Sequence, residues 1–320
     1  LEYFSNNGLE YKVELDEKVY TKSDKADEVI DILRNDLEKN NVKIYYNTMV
    51  SDLIVEDNTI KGVVTSNGQK LYGDKVIVTT GGKSFPHTGS DGAMYEILEK
   101  HGHTITSIHA ALIPLVIKED FVKKLQGVAM KDVIVSAKVK KKKFEKFGDM
   151  LFTHFGISGP AVLKLSSYVS KALGDGEVEI VLDFLKDKSK DEISQIIRSN
   201  PNKTVLNNLK GVLPQNFLKV IFEMLGLTEV KASDLKKEDE NKIIEYMKEM
   251  KLTARETLTI KAAQVTSGGV KVKEINSSTM ESKIIKNLYF AGEVIDIDAE
   301  TGGYNLQMAF STGYLAGSDF

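Results

Sequence analysis

Apolar positions along the chain switch between two periods. Over 23–40 (SDKADEVIDILRNDLEKN) they recur every three or four residues, so Val29, Ile30, Leu33 and Leu37 share one face of a predicted helix. Ser23 or Asp24 stands where a side chain can cap the first amides, acids fill the first turn, and Asn40-Asn41 ends the pattern. VKIYY (42–46) then predicts a strand, as do DLIVE (52–56), IKGVV (60–64) and QKLY (69–72). Asp57-Asn58 and Asn67-Gly68 suit the positive backbone angles of tight hairpins, which makes the last three strands a small antiparallel meander. KVIVTTGG (75–82) is apolar on both faces and ends in two glycines, the pattern of a strand in a parallel sheet covered by helices. A helix over 93–101 turns Ala93, Met94, Ile97 and Leu98 inward.

The character changes near Ala110. ALIPLVIK (111–118), VIVSAKV (133–139) and VEIVLDF (178–184) read as strands. The lysine-rich stretch 186–251 predicts helices over 190–199, 215–225 and 240–250. TLTIKAAQV (257–265) and LYFAGEVIDI (288–297) return to strand patterning, and 305–316 closes with a helix. The chain thus reads as α/β: one domain (1–109 with 253–320) built on an incomplete Rossmann-like sheet with an antiparallel meander, interrupted by an inserted, mixed barrel-like and helical domain (110–252). A length prior of roughly 150 residues per domain agrees with two units in 320 residues.

Composition narrows the chemistry. With 43 Lys+Arg against 46 Asp+Glu the net charge is -3, which argues against binding nucleic acid or an anionic membrane through the whole surface. The absence of cysteine removes disulfides, thiolate metal sites and a Cys nucleophile, and fits a cytoplasmic chain. Neither a signal peptide nor an apolar run of membrane-spanning length is visible.

Several motifs carry possible chemistry. TTGGKS (79–84) ends like a phosphate loop, but Ile77 stands where that signature needs its first glycine, so a nucleoside-triphosphatase is rejected. Two glycines directly after a buried strand still allow a ligand, or simply a tight turn, at the carboxyl end of a sheet. FAGE (290–293) is a second such strand end, with a carboxylate able to accept hydrogen bonds from sugar hydroxyls. TGGYNLQMAFSTGYLAG (301–317) opens a small-residue helix on a glycine pair, and TSGGV (266–270) adds a third pair. The basic tract KVKKKKFEKF (138–147) reads as a solvated hairpin tip, with nucleic-acid binding as the competing reading. His101 and His103 lack a third ligand at metal spacing, so no metal is predicted. Ser158 in GISGP breaks the nucleophile-elbow pattern at Pro160 and reads as a turn before a helix.

Five blocks, in order, resemble the BaiN-type NAD(P)/FAD-dependent oxidoreductases, also described as aminoacetone-oxidase-family flavoproteins. They are SDKADEVIDIL, VIVTTGGKSFPHTGSDGAMYEILEKHGHTI, GDMLFTHFGISGPAVLKLSS, TSGGVKVKEINSSTMESKIIKNLYFAGE and FAGEVIDIDAETGGYNLQMAFSTGYLAG. The resemblance implies FAD as cofactor and NAD(P)H as electron donor for hydride transfer to or from a small ketone, enone or amino-ketone. By likeness, the backbone at Val50 meets the adenine side, and Thr80, Gly81 and Gly82 approach the dinucleotide. Gly292 and Glu293 hold the ribityl-pyrophosphate region with Asp296 nearby. Thr266, Gly268, Gly269, Gly303, Tyr304, Asn305 and Leu306 lie against the flavin ring. Tyr304 and His154 are the candidates for a proton donor, each with ordinary packing as its alternative. Members of this family begin with a strand–G-x-G-x-x-G–helix unit, and that pattern is absent here. The sequence therefore resembles a member without its first segment, expected to bind FAD weakly or not at all. The competing expectation is a non-catalytic module that engages a partner or nucleic acid through 138–147.

Overall fold

The computed structural model describes residues 1–14 and 17–318. It begins with a short helix α1 (Glu2–Asn6), a hairpin of β1 (Tyr11–Val13) and β2 (Val19–Thr21), and helix α2 (Asp27–Lys39). The predicted helix is present but shorter, starting beyond Ser23 and Asp24 with no side-chain cap. Its apolar face is open: Ile30, Leu33 and Leu37 are exposed. VKIYY forms no strand. An extended segment becomes a strand only when a neighbour completes its ladder, and none of the described strands lies beside it.

The meander forms as the hairpin signals require: β3 (Val50–Glu56), β4 (Thr59–Thr65) and β5 (Lys70–Tyr72) pair antiparallel. Asp57 and Asn58 both take positive φ, 48° and 55°, the combination of a type I′ turn. Next, β6 (Val76–Val78) leads through a glycine loop into α3 (Ala93–Lys100). On α3 the buried residues are Met94, Tyr95 and Leu98, so Tyr95 takes the inward place expected of Ala93.

The middle of the chain supplies β7 (His109–Ala111), β8 (Leu115–Ile117), β9 (Ala129–Val139), β10 (Lys142–Phe152), β11 (Gly156–Ser158) and α4 (Pro160–Ala172). After these come β12 (Val178–Asp183), α5 (Lys190–Ile197), α6 (Val205–Asn208), α7 (Gln215–Leu225), α8 (Lys237–Lys248) and β13 (Met250–Thr257). Six of these strands close an antiparallel barrel in the order β10-β11-β8-β13-β12-β9. Alternation fills it: Val133, Val135 and Ala137 from β9, Val178, Ile180 and Leu182 from β12, and Met250, Leu252 and Ala254 from β13 are all buried. Helices α5, α7 and α8 extend the same core through Ile193, Phe217 and Ile243. The basic tract is the β9–β10 hairpin; Ser158, expected in a turn before a helix, instead ends β11 opposite Leu151, and the turn into α4 falls at Gly159.

The chain then returns through β14 (Val265–Ser267), β15 (Leu288–Phe290) and α9 (Tyr304–Ser318). The strand predicted over 257–265 is broken by a 3-10 turn at Ile260–Ala262. β15 pairs parallel with β6, far from it in sequence, with Phe290 opposite Val78. Around this pair lies a second core that includes Leu53, Leu98, Val270 and Ala316. Between the two cores, β14 pairs with β7. No helix among the described residues is long and apolar enough to cross a membrane.

Asp52 pins α3 to β3. One carboxylate oxygen accepts a hydrogen bond from Lys100 and the other lies 2.7 Å from His101 Nε2. The Lys100 ammonium first, and His101 next, hold this carboxyl down at about 2, against 3.8 ordinarily. A depressed carboxyl pKa stabilises the fold above the unfolded value and loses that stabilisation as pH falls through the folded one. Asp52→Asn is therefore expected to lower the urea midpoint at neutral pH and to flatten its decline between pH 4 and 2, as measured by unfolding titrations across that range.

Candidate functional site

The loop after β6 is where distant segments converge. Thr266, on β14, accepts hydrogen bonds at Oγ1 from the amides of Lys83 (2.8 Å) and Ser84 (3.0 Å). Glu293, just after β15, completes the junction: its carboxylate accepts from the amides of Thr266 (2.7 Å) and Gly82 (3.2 Å). The residue before it, Gly292, donates its amide to Thr312 Oγ1 of α9 at 2.9 Å. Three strand ends and one helix are thus tied by three side chains, those of Thr266, Glu293 and Thr312. Tyr95 lies beneath, with its hydroxyl 3.5 Å from the Glu293 carbonyl oxygen. Burial first, and the charges of Glu293 and Asp296 next, push its ionisation upward, so it stays a neutral phenol.

The glycines of this region have visible reasons. A Cβ on Gly82 would stand 2.3 Å from Thr266 Oγ1. On Gly268 it would meet the Ser107 carbonyl oxygen at 2.4 Å, and on Gly269 the Val294 carbonyl oxygen at 2.5 Å. The close approach that these three glycines permit is made by protein atoms, and all three are buried. Gly81 differs. It has φ of 71°, faces Ser90 and opens to solvent on its other side.

A cleft of about 490 Å³ lies there. Its wall runs from Asn47–Val50, at the start of the meander, across Thr80 and Gly81 to Gly89 and the first turn of α3 at Asp91–Tyr95. The buried Ser90 Oγ, 2.8 Å from where a Gly81 Cβ would stand, has no hydrogen-bond partner. The cleft therefore combines exposed backbone with an apolar floor at Met94, the composition of a small-molecule site, while the unpaired Ser90 hydroxyl is buried behind Gly81 and does not line it.

Of the residues singled out from sequence, Val50, Thr80 and Gly81 line this one cleft. Gly82, Thr266 and Glu293 form the clamp behind it. Asp296 is half-buried, and its amide donates to the Val270 carbonyl at 3.0 Å. Gly303, Tyr304 and Leu306 are exposed at the start of α9, with Tyr304 at 63% and Leu306 at 67%. Asn305 is spent on the adjoining loop, bonding the amide and the carbonyl of Ala299, both at 2.9 Å. His154 is exposed on the β10–β11 turn, edge-on to Phe155, and lines neither this cleft nor the one described next. His101 and His103 part company: the first meets Asp52, the second lies 2.8 Å from Ser282 Oγ.

A second cleft, of about 330 Å³, opens between the two cores. It is lined by Lys83, Ile108, His109, Ala110, Ser170, Thr257 and Ile260. Sequence reasoning misses all of its polar groups, because no motif links Lys83, His109 and Ser170; a loop, a short strand and a helix bring them together.

The clamp is testable apart from any ligand. In Thr266→Val two amides, one of them buried, lose their acceptor, a cost of about 2 kcal/mol. Gly82→Ala forces its Cβ against the Thr266 side chain, a similar cost by overpacking. Chemical denaturation is expected to show both losses. Because the two residues touch, the double variant is expected to lose less than the sum.

Comparison with known proteins follows the same lines. The chain is 32% identical to a 3-dehydro-bile acid delta(4,6)-reductase of Clostridium scindens, over 99% of this chain and 78% of that protein. It is 30% identical to a ribosomal RNA dihydrouridine synthase of Haemophilus influenzae, over 90% of this chain and 71% of that protein. An E. coli quinol fumarate reductase superposes with a TM-score of 0.47 at 13% identity over 99% of this chain; the chain spans about half, 54%, of that structure. The five sequence blocks and the full-length match to the bile-acid reductase lead to one assignment. With residues 1–319 matching the family as a whole, the chain belongs to the HI0933-like protein Rossmann domain family, and to its BaiN-type branch.

Proposed function

We propose that the chain is the body of an FAD-dependent oxidoreductase, acting between NAD(P)H and a small ketone, enone or amino-ketone in the cytoplasm. Kinship supports the enzyme class, since the relative aligned over 99% of the chain is a reductase. The observation that carries the cofactor reading is the cleft in which Val50, Thr80 and Gly81 meet beside the unpaired Ser90 hydroxyl. When bound, FAD supplies two-electron carrier chemistry that side chains lack.

The residues present fit part of such a group. Thr80 and Gly81 offer backbone and hydroxyl at the carboxyl end of a parallel strand, where doubly wound folds take their ligands. Behind Gly81 the buried Ser90 hydroxyl has no partner among the described residues. Glu293 acts from behind, holding the Gly82 amide and with it the turn that presents Gly81. Gly82, Thr266, Gly268 and Gly269 serve the site by packing. By likeness, Gly292, Asp296 and the start of α9 at Gly303–Leu306 complete the site; none of them lines the cleft, and Tyr304 and Leu306 are exposed. No strand–G-x-G-x-x-G–helix unit occurs among the 320 residues, so helix amides of that kind do not add to the affinity.

Titration of the chain with FAD, followed by flavin fluorescence, is expected to show weak but saturable binding. Gly81→Val, which drives a branched side chain toward Ser90, abolishes it. Binding that ignores Gly81→Val, or no saturable binding at all, overturns the placement.

A second reading has one specific support. Lys138, Lys140, Lys141 and Lys142 on the β9–β10 hairpin have no ion-pair partner among the described residues, and one relative is a ribosomal RNA dihydrouridine synthase. Basic stems of this kind suit phosphate contacts. The small-molecule reading expects a short RNA oligomer to bind no better than to a Lys140→Glu/Lys141→Glu variant. Tight binding with a steep salt dependence, lost in that variant, transfers the substrate assignment to RNA.

A further inference from the structure

The junction cleft combines three features that the cofactor reading does not use. Its Lys83 side chain is exposed and has no acidic partner among the described residues. The Ser170 hydroxyl belongs to a residue only 8% exposed, makes no hydrogen bond to any described residue and borders the open volume. His109 stands between them on β7, half-buried, with no side-chain partner. Ile108, Ala110 and Ile260 supply an apolar wall.

The surrounding charges are fixed by the fold. Lys171, one residue after Ser170 on α4, pairs with Asp298 at 3.4 Å. Asp298 is held in turn by Ser267 Oγ at 2.6 Å, and Ser267 lies opposite His109 in the β7–β14 ladder. Asp298 thus neutralises Lys171 and leaves Lys83 as the uncompensated charge. Burial first, and the Lys171 cation next, push the His109 imidazole toward its neutral form, which presents one N–H donor rather than a second cation. One ammonium, one hydroxyl and one imidazole donor facing an apolar wall match an organic anion: a flat apolar body carrying a carboxylate.

We propose that this cleft is a binding site for a small apolar carboxylate, with Lys83 as its charge partner and His109 and Ser170 as hydrogen-bond donors to its oxygens. Calling that ligand a substrate rests on the oxidoreductase reading; the binding itself does not. Lys83 follows Gly81 and Gly82 in the loop after β6 and its stem lies against Gly92 of the first cleft, so a ligand here touches the same loop that lines that cleft.

Benzoate is the probe, with benzamide as its neutral isostere. The imidazole C–H signal of His109 is identified in the proton spectrum by its loss in His109→Gln. Benzoate is expected to shift this signal saturably and benzamide to leave it in place. Lys83→Met is expected to weaken benzoate binding about tenfold, the effect of one charge-assisted hydrogen bond, and Lys83→Arg to retain most of it. Lys83 is exposed, so an unchanged unfolding midpoint is the check that each variant keeps the fold. A His109 signal that benzoate does not move, equal response to benzamide, or equal affinity in Lys83→Met overturns the proposal. FAD titration of the Gly81→Val protein reads the other cleft, so either assignment can fail while the other stands.

Discussion

A single carboxylate behind the glycine loop joins parts of the chain that sequence keeps far apart. Glu293 accepts the amides of Gly82 and Thr266, residues about two hundred and about thirty positions away along the chain. Buried amides need acceptors, and a charged acceptor bonds them more strongly than a neutral one. Thr266 passes the arrangement on by taking two further amides of the same loop. Without this pair of side chains, the loop after β6 would have three backbone donors to satisfy and no fixed path. Both clefts depend on that path, since Gly81 opens to one and Lys83 to the other.

The barrel is joined to this region by small apolar clusters around Ala110, Ile113 and Ala263 and by ion pairs. Lys146 of β10 pairs with Glu300, and Lys171 of α4 with Asp298. Phe144 stacks on Tyr168 at 4.1 Å, and Lys146 lies over the same Tyr168 ring, so the base of the basic hairpin is held by α4 while its tip stays in solvent. The β7–β14 ladder is the strand connection here, and it carries His109.

Legibility in the sequence followed the range of the interaction. Hairpins were readable because a two-residue turn decides them locally, as at Asp57-Asn58. VKIYY has the composition of a strand and is not one, because a strand also needs a neighbour to share its ladder. The same limit applies to 257–265, where a 3-10 turn interrupts apolar residues that lack a continuous partner. Helix α2 was readable as a helix from its period, whereas the exposure of Ile30, Leu33 and Leu37 was not, since burial is a property of what packs on the face. Two glycine pairs, 81–82 and 268–269, mark close approach, whereas nothing comes within 4 Å of a Cβ on Gly303. What approaches Gly82, Gly268 and Gly269 is protein, and no pattern in the sequence could distinguish that from a cofactor.

By itself the sequence determined the element types wherever period and turn chemistry are local. It also determined the family, whose glycine and carboxylate blocks sit at strand ends that the structure places together. Tertiary structure alone decided the closure of six strands into a barrel, the parallel pairing of β6 with β15 across two hundred residues, and the use of Glu293 as a clamp. It alone assembled Lys83, His109 and Ser170 around one opening. The reason is physical: hydrogen bonds and charges act over a few ångströms of space, and a sequence specifies such distances only through the packing that folding completes.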